Sequence, residues 1–217
     1  MTNTTTPNDN TKSVSNNRIS FILLLVAFII PAGLAYVVLK TDFWQSQGTA
    51  NNGTLISPVL EFDQLSLTDL EGAHFDRSAS DKLWWVMFVM PPQCDVACKN
   101  SLYQMRQLHT ATGPERHRVT IMLLSHEQSD TSLDELISAE FPKFVRLRVD
   151  SNKLNKAFSS AQLGDTPTSE SSQLYLMDPM GVVFMTYPSY EEEHESIMKG
   201  KLILKDLQRV LKLSRIG

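Results

Sequence analysis

The sequence predicts an α/β domain built on a mixed sheet with helices on both faces, preceded by one transmembrane helix. Three observations lead to this expectation. Residues 84–90 form an unbroken apolar run with the aromatic and β-branched composition of a strand buried on both faces. Strand and helix patterns alternate around that run, as in layered α/β proteins. Residues 19–39 carry no charge and, at 21 residues, are long enough to cross a bilayer as a helix.

The composition excludes several classes of function. Of the 217 residues, 42% are hydrophobic and 20% are charged, which is ordinary for a globular protein. The net charge of −4 is small, so the charge balance does not indicate a nucleic-acid partner. Two cysteines are too few for a disulfide-rich scaffold. The sequence contains no phosphate-binding glycine loop, no dinucleotide-binding glycine motif, no His-Glu-x-x-His and no serine nucleophile elbow.

The first 40 residues divide into a polar and an apolar part. Residues 1–17 are rich in Thr, Asn and Ser and are predicted to be a disordered tail. Residues 18–40 are predicted to be an uncleaved transmembrane anchor, with Arg18 and Lys40 flanking the apolar run. A cleaved signal peptide is the alternative, with the small residues at 33–35 as its cleavage site. The apolar run continues past that site, which favours the anchor.

The remainder of the chain is expected to lie outside the inner membrane. Lys12 and Arg18 precede the span and only Lys40 follows it closely, which favours a cytoplasmic N-terminus. Residues 41–57 have the composition of a linker, and residues 58–217 are expected to form the folded domain. Beyond the span there are 17 basic and 23 acidic residues, so the span alone should hold the domain at the membrane.

The folded domain shows strand and helix patterns in a regular order. Strands are predicted at residues 65–69, 84–90, 119–124 and 145–149, and a hairpin at 174–177 and 182–185. Helices are predicted from the cysteines to Gly113, from a capping box at 132–135, over 151–161 and over about 195–213. This order predicts a mixed sheet covered by helices on both sides.

The two cysteines follow the central strand, where the first helix of the domain begins. A helix N-terminus stabilises a thiolate, so Cys94 and Cys98 are the candidate catalytic residues. Lys99 adds positive charge beside Cys98, and Asp95 is suited to hold the helix start. The spacing alone leaves three interpretations open: a redox-active pair, half of a metal site, and a structural disulfide.

Other residues were weighed as metal ligands. His126 follows the strand at 119–124, and the carboxyl ends of parallel strands meet at one edge of a sheet, so it is a candidate from topology. A solvated loop position is the simpler interpretation. Met90 and Met180 offer thioethers, although core packing or a loop position explains both. The remaining histidines are expected on the surface: His74, His109, His117 and His194.

The order of elements is that of a thioredoxin-like fold, and several motifs resemble the Sco/SenC proteins. These are membrane-anchored copper-handling and thiol-redox factors for the assembly of cytochrome c oxidase. The resemblance rests on residues 65–72, the strand 85–90, Cys94-Asp95-Val96-Ala97-Cys98 and residues 176–181. Its most specific part is Cys-x-x-x-Cys directly after a buried strand, since thioredoxins proper have two intervening residues. It covers roughly residues 58–213 and includes the anchor.

The resemblance implies copper bound by Cys94, Cys98 and a downstream histidine. The position of that histidine is occupied by Glu170, and a carboxylate is a poor ligand for Cu(I). The proline that usually follows the second cysteine is replaced by Lys99. The implied function is thiol–disulfide redox or copper handling in the periplasm, with a cytochrome c oxidase subunit or another copper-assembly factor as partner. The alternative is a non-catalytic assembly or scaffold protein with a structural disulfide.

Overall fold

The computed structural model describes residues 11–40, 51–77, 82–126, 131–160 and 172–214. The chain divides into two compact units, residues 1–50 and 51–217, which are considered separately.

The first unit contains helix α1 (Thr11–Lys40). Within it, Arg18–Val37 has a mean hydropathy of 2.5 and no buried residues, so length and composition make it a candidate membrane span. The helix begins at Thr11, so residues 11–17 of the predicted tail are helical. Extending an existing helix by one residue costs far less than starting a new one, which explains why polar residues prolong the apolar segment. Residues 1–10 of the tail and 41–50 of the linker lie outside the described residues.

The second unit contains a six-stranded mixed sheet with the order β1-β6-β5-β2-β3-β4. Strands β2, β3 and β4 are parallel to one another, and the other neighbours are antiparallel. The strands are β1 (Thr54–Glu61), β2 (Trp84–Val89), β3 (Val119–His126), β4 (Val145–Val149), β5 (Gln173–Met177) and β6 (Val182–Pro188). The helices are α2 (Val96–Ala111), α3 (Thr131–Glu140), α4 (Ser151–Ser160) and α5 (Glu193–Leu213).

Helices cover both faces of the sheet, as predicted. On one face, Val86 and Phe88 of β2 belong to a core that includes side chains of α2, α3 and α5. On the other face, Trp85, Met87 and Val89 pack with α4 and with a 3-10 helical turn, Phe62–Leu65. No residue of β2 is more than 7% exposed, which confirms the prediction of a strand buried on both faces.

Most of the predicted elements are confirmed to within a few residues. The β5–β6 hairpin forms as expected, and its turn ends at Gly181 with φ of 89°, a conformation that favours glycine. Helix α2 ends just before Gly113, as predicted. Helix α3 begins at Thr131, so Ser132 lies in its first turn and not at the N-cap position expected from the capping box.

The first strand of the sheet does not lie at the position predicted from the sequence. Strand β1 occupies Thr54–Glu61, and thus begins inside the expected linker and before the predicted domain start at residue 58. Residues 65–69 are not a strand of the sheet, so that prediction is wrong. Within that segment Thr68 forms only isolated bridges, to His74 and Arg148.

The position of β1 at the edge of the sheet explains why its hydrophobic pattern is weak. It is an edge strand that pairs with β6, and its register shifts between Leu55 and Leu60, around Pro58. Proline is tolerated at such edges and bulges because it has no N–H to donate to a neighbouring strand. Only Ile56 and Leu60 of the strand are buried, so its sequence lacks the strict alternation of a regular strand.

A buried carboxylate on α5 holds the chain just before β1. Asp206 is 2% exposed and accepts hydrogen bonds from the backbone N–H groups of Asn52 (2.7 Å) and Gly53 (3.0 Å). The Asn52 side-chain amide also donates to it at 2.8 Å, and the Tyr187 hydroxyl at 3.0 Å. Burial, and then the charge of Asp206, raise the pKa of Tyr187, which therefore stays protonated and able to donate. A Cβ at Gly53 would lie 2.5 Å from the Tyr187 ring, so only glycine fits there.

We expect Asp206→Ala to destabilise the domain by about 2–4 kcal/mol, because it removes the acceptor of the buried Tyr187 hydroxyl and of the partly buried backbone N–H groups of Asn52 and Gly53. Urea unfolding followed by tryptophan fluorescence measures this change. The control is Lys205→Ala, an exposed position next to it on α5, which should change the free energy of unfolding by less than about 0.5 kcal/mol. Equal unfolding midpoints for the two variants would contradict the assigned role of Asp206.

Candidate functional site

Cys94 and Cys98 lie in the connection from β2 to α2 and form a disulfide. The apolar run ends at Met90, whose N–H donates to the Leu124 carbonyl at 2.9 Å. The chain then turns through Pro91 and Pro92. Cys94 precedes the helix, Cys98 lies in its first turn, and their Cα atoms are 5.2 Å apart. The predicted juxtaposition of the two sulfurs at a helix start is therefore present.

The two cysteines differ in burial. Cys98 is 0% exposed and belongs to the core on the α2 face of the sheet, together with Met90 and Leu102. Cys94 is half-buried, and the residues on either side of it, Gln93 and Asp95, are exposed. Cys94 is therefore the partly exposed member of the pair, although it packs against the same core, and Cys98 is fully covered by that core.

Asp95 holds the start of α2. Its Oδ1 accepts a hydrogen bond from the backbone N–H of Cys98 at 2.8 Å, which confirms the expectation that it acts at the helix start. An N-cap of this kind stabilises a helix by about 1 kcal/mol. The cap also places one negative charge beside the cysteine pair, opposite in sign to that of the exposed Lys99. The side chains around the pair therefore contribute no net positive charge, and what remains to favour a thiolate is the helix end itself.

Two side chains of α2 attach the loop between β6 and α5 to the first turns of this helix. The Ser101 hydroxyl donates to the Ser189 hydroxyl at 2.7 Å, and Ser101 is buried. The Asn100 side-chain amide donates to the backbone carbonyls of Tyr190 (3.0 Å) and Glu191 (2.8 Å). This loop thus lies beside the helix turn that carries Cys98. Sequence reasoning missed these contacts, because Ser and Asn are common in solvated helix positions and have no pattern of their own.

His126 does not lie with the cysteines. Its Nδ1 is 2.7 Å from the Ser151 hydroxyl at the start of α4. Alternate residues of β3 face opposite sides, with Leu123 in the core on the α2 face and Leu124 in the core on the α4 face. His126 shares the side of Leu124, whereas Cys98 is on the α2 face. The sheet separates them, so the hypothesis that His126 completes a metal site with the cysteines is wrong.

The two methionines have the positions that their simpler interpretations predict. Met90 is buried in the same core as Cys98. Met180 is 71% exposed in the β5–β6 turn. Because Val89 pairs with Gln173 and the turn is at the other end of β5, Met180 lies at the end of the sheet away from the disulfide.

No His, Asp or Glu side chain completes a group of three metal ligands with the cysteines within the part of the chain that the structure describes. There, no group of three or more His, Cys, Asp or Glu side chains is placed to hold a metal ion. Glu170, at the position of the histidine of the resembled family, lies outside the described residues. Of the other histidines, His109 is half-buried and three are exposed: His74, His117 and His194.

Comparison with solved structures shows the same fold. Apo Sco1 from Thermus thermophilus matches with a TM-score of 0.51 and 15% identity, over 75% of this chain and 99% of that one. BsSco, described as a member of the Sco family of cytochrome c oxidase assembly proteins, matches with a TM-score of 0.49 and 14% identity, over 76% and 98%. Bradyrhizobium japonicum ScoI with copper bound has a TM-score of 0.43 and 17% identity, over 67% and 98%. No curated protein matches the sequence.

The match to the Thermus thermophilus protein agrees with the thioredoxin-like fold that the order of elements predicts. A family model described as "Transmembrane-like, thioredoxin-like, C-terminal domain" matches residues 84–214, from the first residue of β2 to the end of α5. That match includes the disulfide and more than half of the 217 residues. The chain therefore belongs to the family of transmembrane-like, thioredoxin-like C-terminal domains.

Proposed function

We propose that this protein is a membrane-anchored thiol–disulfide oxidoreductase that serves the assembly of cytochrome c oxidase. The observation that carries the proposal is the Cys94–Cys98 disulfide at the N-terminus of α2, in which Cys94 is partly exposed and Cys98 is buried. A purely structural disulfide does not require this asymmetry. The assignment to oxidase assembly rests on the Sco-like motifs of the sequence.

The proposed reaction is a two-step exchange that begins from the reduced pair. The Cys94 thiolate attacks a client disulfide, forms a mixed disulfide and releases one client thiolate, which takes up a proton. The Cys98 thiol loses its proton, and its sulfur attacks Cys94 in the mixed disulfide. The second client thiolate then leaves, and the Cys94–Cys98 disulfide remains. The client gains two electrons and the cysteine pair loses two. A partner dithiol protein must return them before the next cycle.

The burial of Cys98 suits the second step of this exchange. A resolving cysteine does not need to meet the client, only the neighbouring sulfur, and the Cα–Cα distance of 5.2 Å lies within the range of unconstrained disulfides. The core around Cys98 keeps its sulfur beside Cys94 while the client occupies the exposed side. The client's reducible cysteines would be those of a cytochrome c oxidase subunit or of another copper-assembly factor.

We expect Cys98→Ser to accumulate a mixed disulfide between Cys94 and its client, because the resolving sulfur is absent. Non-reducing electrophoresis of alkylated membranes should show a shifted band that reducing agent removes. The matched control is Cys94→Ser, which retains only the buried sulfur and should trap nothing. Absence of a trapped species with Cys98→Ser, together with normal oxidase activity in the double serine variant, would favour the scaffold alternative.

Copper handling is a second candidate, supported by the short separation of the two sulfurs. Once reduced, two thiolates held side by side suit the soft Cu(I) ion, which here would be cargo for a client. The chain itself does not provide the family's histidine, since that position is Glu170. In this mechanism the client would contribute the remaining ligand.

If copper is carried, the reduced protein should bind one equivalent of Cu(I) through both sulfurs. Competition against a chromogenic Cu(I) chelator measures this stoichiometry, and Cys94→Ser should abolish it. The control is His126→Gln, which should leave copper binding unchanged because His126 is on the opposite face of the sheet. Binding that survives Cys94→Ser would contradict the copper proposal.

The proposed location is the inner membrane, with residues 19–39 spanning it and the thioredoxin-like domain in the periplasm. The apolar part of α1 and the slight excess of positive charge before it support this orientation. An oxidising compartment also suits a disulfide.

We expect alkaline phosphatase fused after residue 217 to be active in a bacterial host, because that enzyme folds only where its own disulfides form. The same fusion lacking residues 1–40 is the control and should be inactive. Activity of both fusions, or of neither, would contradict the proposed orientation.

A further inference from the structure

A cavity of about 430 Å³ lies near the C-terminal end of α2, away from the disulfide. Its walls come from α2, from the 3-10 helical turn Gly113–Arg118, and from the loop that connects α3 to β4. His109 on its wall is eleven residues beyond Cys98 along α2, which corresponds to about 16 Å of helix. The volume lies within the range of small-molecule sites, and the thiol chemistry does not use this cavity.

The floor of the cavity is aromatic and ordered by ring contacts. Phe141 is buried and stacks on Phe144, with ring centroids 5.2 Å apart and an interplanar angle of 29°. Tyr103 meets Phe141 edge-on at 5.5 Å. The guanidinium of Arg106 lies over both rings, 5.0 Å from the centroid of Tyr103 and 5.2 Å from that of Phe141. These contacts hold Arg106 in place at the side of an apolar surface.

The rim of the cavity has an excess of positive charge. Arg106, Arg116 and Lys143 line it, and the acidic group among the lining residues is Glu140. The Glu140 carboxylate accepts a hydrogen bond from the Tyr103 hydroxyl at 2.8 Å. Within the described parts of the chain, none of the three cations has a carboxylate at ion-pair distance. The lining carries a net charge of +2 in a domain that is acidic as a whole, so its cations are available to a ligand.

His109 lies on the wall of the cavity, close to the backbone of β3. Its Nε2 is 3.1 Å from the Val119 carbonyl oxygen. Burial lowers the pKa of His109, the hydrogen bond to Val119 raises it, and the charges of Arg116 and Lys143 lower it further. The ring is therefore neutral at pH 7 and donates through Nε2, which leaves Nδ1 without a proton. Arg116 and Lys143 both face this ring closely enough to influence it, although they come from different segments.

We propose that this cavity binds a phosphate ester that carries an apolar group. A dianionic phosphate balances the net charge of +2, and guanidinium groups match phosphate oxygens in a two-pronged geometry. The apolar part of the ester packs on the half-buried ring of Phe144, which the buried ring of Phe141 supports. Both a soluble phosphate monoester and the headgroup of phosphatidic acid, which is also a phosphate monoester, have this chemistry.

Phenyl phosphate is the probe that combines both features. Titration calorimetry of the full-length protein in neutral dodecyl maltoside micelles should show saturable binding of one equivalent, with a dissociation constant of about 1 mM or lower. The double variant Arg116→Gln/Lys143→Gln should weaken binding about tenfold, since it removes two exposed charge contacts. Both side chains are exposed, and far-ultraviolet circular dichroism checks that the variant is folded.

The matched control is Lys153→Gln, an exposed lysine of α4 on the other face of the sheet, which should leave the affinity unchanged. Inorganic phosphate should bind at least several-fold more weakly than phenyl phosphate, because it has no group to place on the aromatic floor. Absence of saturable binding, or equal affinities for the wild type and the Arg116→Gln/Lys143→Gln variant, would overturn the proposal. Equal affinities for the two probes would overturn the role of the aromatic floor.

Micelles doped with phosphatidic acid, whose headgroup is a phosphate monoester, distinguish the two sources. If the lipid displaces phenyl phosphate from the wild type but not from the Arg116→Gln/Lys143→Gln variant, the ligand is a phospholipid headgroup. Retention of phenyl phosphate in its presence identifies a soluble ester. Neither the titration nor the displacement experiment depends on the cysteines. A negative result for phosphate binding therefore leaves the redox proposal untouched, and the reverse is also true.

Discussion

The structure depends on the burial of strand β2 on both of its faces. Val86 and Phe88 contribute to the core beneath α2, α3 and α5, while Trp85, Met87 and Val89 contribute to the core beneath α4. A shift of one residue in its pairing with β3 or β5 would exchange these two sets. The register is therefore strongly determined, and with it the point at which the chain leaves the sheet. Because β2 has only one favourable register, the cysteines that follow it lie at the edge of the sheet where the parallel strands have their C-terminal ends.

The chemistry of the site follows from the amphipathic character of α2. Cys98 shares its buried face with Leu102, Met105 and Leu108, so the packing of this helix buries Cys98 in the core. Cys94 precedes the helix and stays partly exposed. The difference in exposure between Cys94 and Cys98 thus follows from the packing of the helix. The same core side chains that hold α2 on the sheet also cover Cys98. Asp95 adds the N-cap that keeps the first turn formed.

The parts of the fold and of the site that could be predicted from the sequence are those whose hydrophobic pattern extends over a few neighbouring residues. The strands and helices around the cysteines were predicted closely, because each buries a regular face and shows the corresponding period. Strand β1 was missed, since an edge strand with a proline and a register shift has only Ile56 and Leu60 as buried markers. His126 was placed at the correct edge of the sheet, but which face it occupies depends on the exact end of β3.

The sequence by itself determined the alternation of elements, the apolar span and the proximity of Cys94 and Cys98 at a helix start, because these depend on spacings of a few residues. The tertiary structure alone decided which distant groups meet. Asp206 and Asn52 are 154 positions apart, and nothing in either segment indicates that a buried carboxylate of α5 holds the chain before β1. The same holds for the cations Arg106, Arg116 and Lys143, which come from three segments. Periodicity records which face of an element is buried, whereas the partner across the core depends on how whole elements pack.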